Sequence, residues 1–124
     1  MRLYLDTNVL VDILDREDSA SYNLFLRSLR CQYTLVISSW AILELVKIGF
    51  AQESDTLLKL LARNEKVVFI RQEPSDNVIA RHVRTHFADA VHYVIARRSA
   101  DAIVTRDRTG FPFRDILVGT PEEF

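Results

Sequence analysis

The sequence predicts a three-layer α/β/α fold, in which helices cover both faces of a roughly five-stranded parallel sheet. Strands that alternate with helices need crossover connections, which favour a parallel sheet covered on both sides. With 124 residues and only three Gly and three Pro, the chain is expected to form one domain over residues 1–124 without a linker. The candidate strands are five short apolar runs, at residues 2–5, 34–37, 67–70, 102–105 and 116–118.

The helices are predicted from apolar residues that recur every three or four positions. One segment, residues 40–48, is apolar nearly all round and is therefore expected to form a buried helix, capped by Ser38 or Ser39. The other segments with this pattern are residues 10–14, 22–29, 55–63, 75–84 and 87–95.

Composition and charge narrow the class of protein. The net charge of −1 gives no global basic footprint, yet thirteen of the sixteen basic residues are Arg, whose guanidinium binds phosphate well. An early acidic run at residues 12–18 is expected to be a solvated helix end. A single cysteine, Cys31, cannot form an intrachain disulfide, and no apolar run reaches the ~20 residues of a membrane span. These features, with no signal peptide at the start, predict a cytoplasmic protein.

Carboxylates fall where predicted strands end. Asp6 directly follows the first strand, and Asp107 comes two residues after the fourth. In open α/β sheets, ligands bind outside the carboxyl ends of the strands, near the point where the strand order reverses. Both side chains are therefore expected at one edge of the sheet. Taken singly, Asp6 is equally compatible with a helix N-cap, and Asp107 with a turn residue.

Two further acids lie on predicted helices. Glu44 is in the apolar helix, where a buried carboxylate needs a positive partner, either a metal or an arginine. Asp89 is in the first turn of the helix that begins near Phe87, where the helix dipole alone is enough to favour it. Four carboxylates at one edge would repel one another by about 4 kcal/mol for each close pair at an effective dielectric constant near 20. A bound cation removes this repulsion, and oxygen ligands select Mg²⁺, Mn²⁺ or Ca²⁺ over Zn²⁺. Such sites usually catalyse phosphoryl transfer.

Four segments resemble the PIN-domain nucleases, in particular the VapC-type ribonuclease toxins of prokaryotic toxin–antitoxin pairs. They are Leu5-Asp6-Thr7-Asn8-Val9-Leu10, Glu44 in its helix, Phe87-Ala88-Asp89-Ala90-Val91-His92 and Ile103-Val104-Thr105-Arg106-Asp107. The likeness spans the whole chain, although the segment Arg108-Thr109-Gly110-Phe111 departs from the usual pattern after the last acid.

The resemblance implies an RNA-cleaving enzyme with a Mg²⁺ or Mn²⁺ ion held by Asp6, Glu44, Asp89 and Asp107. It also implies that Thr7, Asn8 and Thr105 orient those carboxylates or the waters of the metal. An antitoxin partner and a homodimer follow from the same likeness.

Other polar residues are weaker candidates. Arg81 and Arg84 are expected to contact RNA phosphates, with a solvated surface as the alternative. His92 follows Asp89 by three residues, but a hard cation does not require imidazole. Asp101 is interpreted as a turn or cap residue, and Trp40 as a core residue. His82 and His86 are expected at the surface.

Two alternative functions remain open from the sequence. One is a phospho-accepting α/β domain with an aspartate nucleophile, although residue 8 is Asn where a phosphohydrolase has a second Asp. The other is a catalytically silent RNA-binding or scaffold protein that keeps the fold.

Overall fold

The computed structural model describes residues 1–30 and 33–124, and its centre is one five-stranded sheet. Every neighbouring pair of strands is parallel, and the spatial order is β3-β2-β1-β4-β5. All five predicted strands are therefore confirmed, with ends that differ by one residue at most. Cys31, with the prediction attached to it, lies outside the described residues. The strands are β1 (Arg2–Leu5), β2 (Thr34–Ser38), β3 (Val67–Ile70), β4 (Ala102–Val104) and β5 (Leu117–Gly119).

Helices occupy the connections between most of the strands. Several begin at a side chain that accepts a hydrogen bond from a free backbone N–H of the first turn, as Ser38 does from the amide of Ala41 at 3.1 Å. Their bounds are α1 (Thr7–Asp15), α2 (Ala20–Leu29), α3 (Ser39–Lys47), α4 (Ala51–Leu61), α5 (Pro74–Ala80) and α6 (Phe87–Ser99). Short 3₁₀ turns follow at Arg108–Gly110 and Pro121–Glu123.

The two faces of the sheet bury different side chains, because neighbouring strand residues point to opposite sides. Leu3 and Leu5 of β1 pack with α1, α2, α3 and α4 on one face. Tyr4, between them, packs with Val36, Ile103 and α6 on the other face. The three-layer α/β/α prediction is thus confirmed.

Helix α3 corrects one expectation from the sequence. Among its side chains only Ala41 and Leu45 are buried, whereas Leu43, Val46 and the following Ile48 are 44%, 45% and 57% exposed. Only one side of the helix packs against the sheet and the neighbouring helices. The apolar residues on its other side are exposed, so the prediction of a buried helix was wrong for that side. The acidic run also differs from expectation, since Asp12 is buried and ion-paired with Arg106.

The strand order places a cleft beside β1. The chain proceeds outward from β1 to β2 and β3, then crosses to the opposite side of β1 through α6 to form β4. The order therefore reverses between β1 and β4, and the loops that leave these two strands diverge at their carboxyl ends. In the described part of the chain, no helix has the length and apolar character to cross a membrane.

Candidate active site

A cavity of about 310 Å³ opens at this edge of the sheet. Three of the four predicted acids, Asp6, Glu44 and Asp89, line it together. The structure therefore brings together carboxylates that are 38 to 83 positions apart in the sequence. Its other lining residues are Thr7, Asn8, Val11, Ile48, His92 and Arg106.

Asp6 is fixed by hydrogen bonds to both of its carboxylate oxygens. It is the N-cap of α1, and its Oδ1 accepts the amide of Thr7 at 2.8 Å. Its Oδ2 accepts the hydroxyl of Thr105, also at 2.8 Å. The residue is only 6% exposed. Asp6 is thus both the N-cap of α1 and part of the cavity lining, and Thr105 holds its second oxygen.

Glu44 receives two hydrogen bonds at one oxygen. Its Oε1 accepts the hydroxyl of Thr7 at 2.7 Å and lies 2.5 Å from Nε2 of His92. Burial raises the pKa of Glu44, but the bonds from His92 and Thr7 outweigh that effect and hold the pKa below its ordinary value. Among the described residues, no arginine forms a hydrogen bond or ion pair with Glu44. The ring nitrogen that lies against its carboxylate is Nε2 of His92.

His92 is the residue that sequence reasoning undervalued. It is 1% exposed, and its Nε2 also lies 3.4 Å from Oδ1 of Asp6. Its Nδ1 lies 2.5 Å from the hydroxyl of Tyr4, which in turn lies 2.7 Å from Oγ of Ser38. The signal available in the sequence was its spacing of three residues from Asp89, which places both on one side of α6.

One assignment of hydrogens satisfies every group in this chain. Ser38 accepts the amide of Ala41 as the cap of α3, so its own hydroxyl hydrogen is free to donate to Tyr4. Tyr4 then donates to Nδ1 of His92, and Nε2–H of the imidazole donates to Glu44. Burial raises the pKa of Tyr4 well above its ordinary value, so its hydroxyl keeps its hydrogen. This row of hydrogen bonds links β1, β2, α3 and α6 and ends at the carboxylate of Glu44.

The surroundings of Asp89 raise the pKa of its carboxyl group. Burial raises the pKa of its carboxyl, and the negative charges of Asp6 and Glu44 raise it further, against an opposing effect of His92. Gly110 approaches it closely, since a Cβ at that position would lie 2.6 Å from Oδ2 of Asp89. The loop segment that departs from the family pattern thus packs directly on this acid.

Asp107 is on the adjoining loop and does not line the cavity. Its Oδ1 accepts the hydroxyl of Thr109 at 2.5 Å and the amide of Thr109 at 3.0 Å, and these bonds lower its pKa. Its amide donates to Thr105 at 3.1 Å, so the backbone of Asp107 is tied to the hydroxyl that also holds Asp6. Its carboxylate forms the turn contact that the sequence left open, and its metal-binding role stays a prediction.

Asn8 links the two loops at this edge. Its Oδ1 accepts the amide of Arg106 at 3.1 Å, and its Nδ2 lies 3.5 Å from the hydroxyl of Thr105. Asn8 therefore positions the β4 loop relative to α1.

The other polar residues that the sequence suggested as functional candidates lie in different parts of the structure. Arg81, Arg84, His82 and His86 are exposed between α5 and α6 and are not among the residues that line the cavity. Asp101 lies before β4, at the opposite end of the sheet, and accepts the amide of Arg2 at 2.7 Å. Trp40 is half-buried against Phe87, with its indole N–H donating to the carbonyl of Ala88 at 3.2 Å.

The chemistry of the donor set fits a hard divalent cation, because three carboxylates line one cavity and repel one another there. Burial raises the pKa of Asp89 most, and the negative charges of Asp6 and Glu44 raise that pKa further. Within residues 1–30 and 33–124, no three His, Cys, Asp or Glu side chains are already grouped closely enough to hold an ion. Metal binding therefore needs these carboxylates to turn toward a common point.

Comparison with known proteins decides the family. The model of the PIN-domain family matches residues 2–109, which is most of the chain. The chain belongs to the PIN-domain family. The five-stranded parallel sheet is therefore the sheet of a PIN domain. A comparison with curated proteins finds no significant match.

Solved structures share this PIN-domain fold at low sequence identity. VapBC2 from Rickettsia felis, solved with a promoter DNA fragment, is 22% identical with a TM-score of 0.68 over 95% of this chain and 97% of that one. FitAcB from Neisseria gonorrhoeae is 19% identical with a TM-score of 0.68, over 98% and 99% of the two chains. VapC20 from Mycobacterium tuberculosis, a toxin that cleaves the sarcin-ricin loop, is 13% identical with a TM-score of 0.64, over 93% and 98%. At these identities the likeness establishes the fold.

Proposed function

We propose that this PIN domain is a divalent-metal-dependent endoribonuclease, held inactive in the cytoplasm by an antitoxin partner. The observation that carries the proposal is the convergence of Asp6, Glu44 and Asp89 on one cavity at the point where the strand order reverses. The nuclease function of the family and the toxin–antitoxin structures among the fold relatives support it.

The protein groups have separate parts in the proposed reaction. Asp6, Glu44 and Asp89 would hold the Mg²⁺ or Mn²⁺ ion, with Asp107 as the predicted fourth acid. When bound, the ion polarises the phosphate and lowers the pKa of a water molecule. Thr105 fixes one oxygen of Asp6.

Glu44 and Asp6 differ in how the protein holds them. Thr7 and His92 both bond Oε1 of Glu44, which leaves Oε2 free of these two partners. Both oxygens of Asp6 already accept protein hydrogen bonds, so a metal bound there would share them. Carboxylate oxygens accept more than one partner, so this arrangement orients Asp6 without blocking it.

Activity is tested with carboxylate-to-amide substitutions that change charge and little else. Asp6→Asn and Asp89→Asn should each abolish Mn²⁺-dependent cleavage of RNA while the circular dichroism spectrum stays native. Asp101→Asn is the matched control, since that acid lies at the other end of the sheet. Cleavage that survives both substitutions and also survives EDTA would reject the proposal.

Metal binding has an independent readout in thermal stability. A hundredfold excess of Mn²⁺ over its dissociation constant stabilises a folded protein by about 2.7 kcal/mol, which is about 10 °C for a chain of this size. Wild type should show this shift and Asp89→Asn should lose most of it. If neither Mg²⁺ nor Mn²⁺ changes the melting temperature, the alternative of a catalytically silent RNA-binding or scaffold protein is favoured.

The antitoxin and the homodimer are proposed from the fold relatives, several of which were solved as toxin–antitoxin complexes. A small reading frame immediately upstream should encode the antitoxin, and its co-expression should relieve the growth arrest caused by this protein alone. Light scattering on the purified chain should give twice the 14.3 kDa mass of the monomer. Growth unaffected by the active protein would remove the toxin role while leaving the nuclease proposal intact.

A further inference from the structure

Arg106 is a cation at the rim of the acidic cavity. It directly precedes Asp107 in the loop after β4 and, among the cavity-lining residues in the described ranges, is the only Arg or Lys. Its side chain is 49% exposed. A positive group in this position needs an explanation, because three carboxylates share the same cavity.

Two hydrogen bonds fix Arg106 from opposite ends. Its backbone amide donates to Oδ1 of Asn8 at 3.1 Å. Its Nη1 donates to Oδ1 of Asp12 at 2.9 Å, and the second oxygen of Asp12 lies 3.4 Å from the hydroxyl of Ser21. Asp12 itself is buried, with 7% of its surface exposed. The guanidinium is therefore held in place at one edge.

Within the described residues, two donor nitrogens of this guanidinium remain available to a ligand. Arginine has five N–H donors in a rigid plane, and Nε and Nη2 of Arg106 have no protein acceptor among the hydrogen bonds of residues 1–30 and 33–124. An ion pair that served only to neutralise Asp12 would not require a position on the cavity lining. A pre-oriented fork with free donors is suited to a phosphate, which it can bind through two parallel hydrogen bonds.

We propose that Arg106 binds a backbone phosphate of the RNA beside the phosphodiester that is cut, and that Asp12 and Asn8 act as positioning residues for its guanidinium. The inference rests on the proposed ribonuclease function and names the substrate group that this rim recognises. Because the contact is to the phosphate, it contributes affinity without sequence preference. It also gives the acidic cavity a positive edge that attracts a polyanion.

The test separates the phosphate contact from the structural ion pair. Asp12→Asn removes the pair and leaves the cation, whereas Asp12→Asn with Arg106→Gln removes both. Binding is measured by fluorescence anisotropy with a labelled 20-nucleotide single-stranded RNA of mixed sequence, in an Asp6→Asn background that keeps the RNA intact. The two proteins differ only in the charge at residue 106, so neither leaves a buried carboxylate unpaired.

Asn at position 12 keeps an oxygen that can accept from Nη1 of Arg106 but carries no charge to compete with phosphate, so we expect Asp12→Asn to bind this RNA at least as tightly as its parent. The addition of Arg106→Gln should weaken binding about tenfold. The slope of log affinity against log salt should fall by about 0.7, the value for one single-stranded phosphate contact. In proteins with Asp6 intact, KM for cleavage should rise while kcat stays within a few-fold. Arg106→Lys, which keeps the charge without the planar fork, should retain the salt slope and lose part of the affinity.

Arg97→Gln is the matched control. That arginine is 65% exposed, pairs with Asp115 and lines a different cavity between α5 and α6, so its loss should leave both affinity and slope unchanged. If the wild-type protein cleaves RNA but Asp12→Asn binds it with the same affinity and salt slope whether or not Arg106→Gln is added, the phosphate role of Arg106 is wrong and the proposed function stands. A native form that neither cleaves nor binds RNA would overturn the proposed function, and the inference with it.

Discussion

Replacing His92 by alanine should damage both the fold and the site, and the structure gives the size of each effect. The substitution leaves the buried hydroxyl of Tyr4 without its acceptor, which costs about 1–3 kcal/mol, and opens a cavity among fully buried side chains. A total near 3 kcal/mol corresponds to about 12 °C in melting temperature for 124 residues. Glu44 also loses the donor that orients it.

The loss of orientation is measured separately from the loss of stability. Removing a group that orients a metal ligand typically lowers metal affinity or activity 10–100-fold. Isothermal titration with Mn²⁺ well below the melting temperature should show this loss for His92→Ala. His92→Gln, whose amide nitrogen falls close to the position of Nε2, should restore most of the Mn²⁺ affinity.

Tyr4→Phe is the matched variant, because it breaks the same buried chain one step away from the acids. It should lower the melting temperature by a few degrees while leaving the bond between His92 and Glu44, and hence the Mn²⁺ affinity, nearly unchanged. If His92→Ala binds Mn²⁺ as tightly as wild type, or Tyr4→Phe loses as much affinity as His92→Ala, the imidazole does not position Glu44.

Three further outcomes follow from the geometry and electrostatics of the acids. Gly110→Ala should reduce Mn²⁺ affinity and RNA cleavage about tenfold or more, because a Cβ there would displace the carboxylate of Asp89. Its melting temperature should stay within a few degrees of wild type. Unchanged Mn²⁺ titration and cleavage kinetics would show that the carboxylate is free to move. Asp89→Asn should melt above wild type at pH 7 in EDTA: the pKa of Asp89 is raised by folding, so its ionised form opposes folding, and the gain should vanish as the pH falls towards 3.8. Glu44→Gln should show the opposite sign, melting below wild type at pH 7, since a lowered pKa means that the carboxylate stabilises the fold above pH 4.5 and the contribution is lost as the pH falls through the folded pKa. Melting curves of the two amide variants from pH 3 to 8 test both signs, and shifts in the same direction would contradict the electrostatic account.

The sheet was predictable because its strands are short apolar runs with clear polar boundaries. Residues that follow strands could also be placed, since a parallel sheet brings the carboxyl ends of its strands to one edge. This reasoning located Asp6 and brought Glu44 close to it through a helix capped by Ser38. The placement of Asp89 depended on the same edge and on its position in the first turn of α6.

The hydrogen-bond partners were not predictable at the same level. A buried histidine and a buried tyrosine have the sequence pattern of ordinary core residues, and only three-dimensional packing shows that His92 and Tyr4 lie beneath the acids. Asp12 was misjudged for the same reason, because the arginine that neutralises it lies 94 positions away. The sequence did not predict that apolar residues of α3 would be exposed. The periodicity of a sequence shows which residues are apolar, but it does not show which of them other elements cover.

The strand order has a consequence for synthesis of the protein. β1 ends at Leu5, but its neighbour on one side, β4, begins only at Ala102, so the two strands are synthesised far apart in time. Until then, Asp6 lacks the threonine hydroxyl that orients it. A growing chain therefore holds an incomplete candidate site until the loop after β4 has been made.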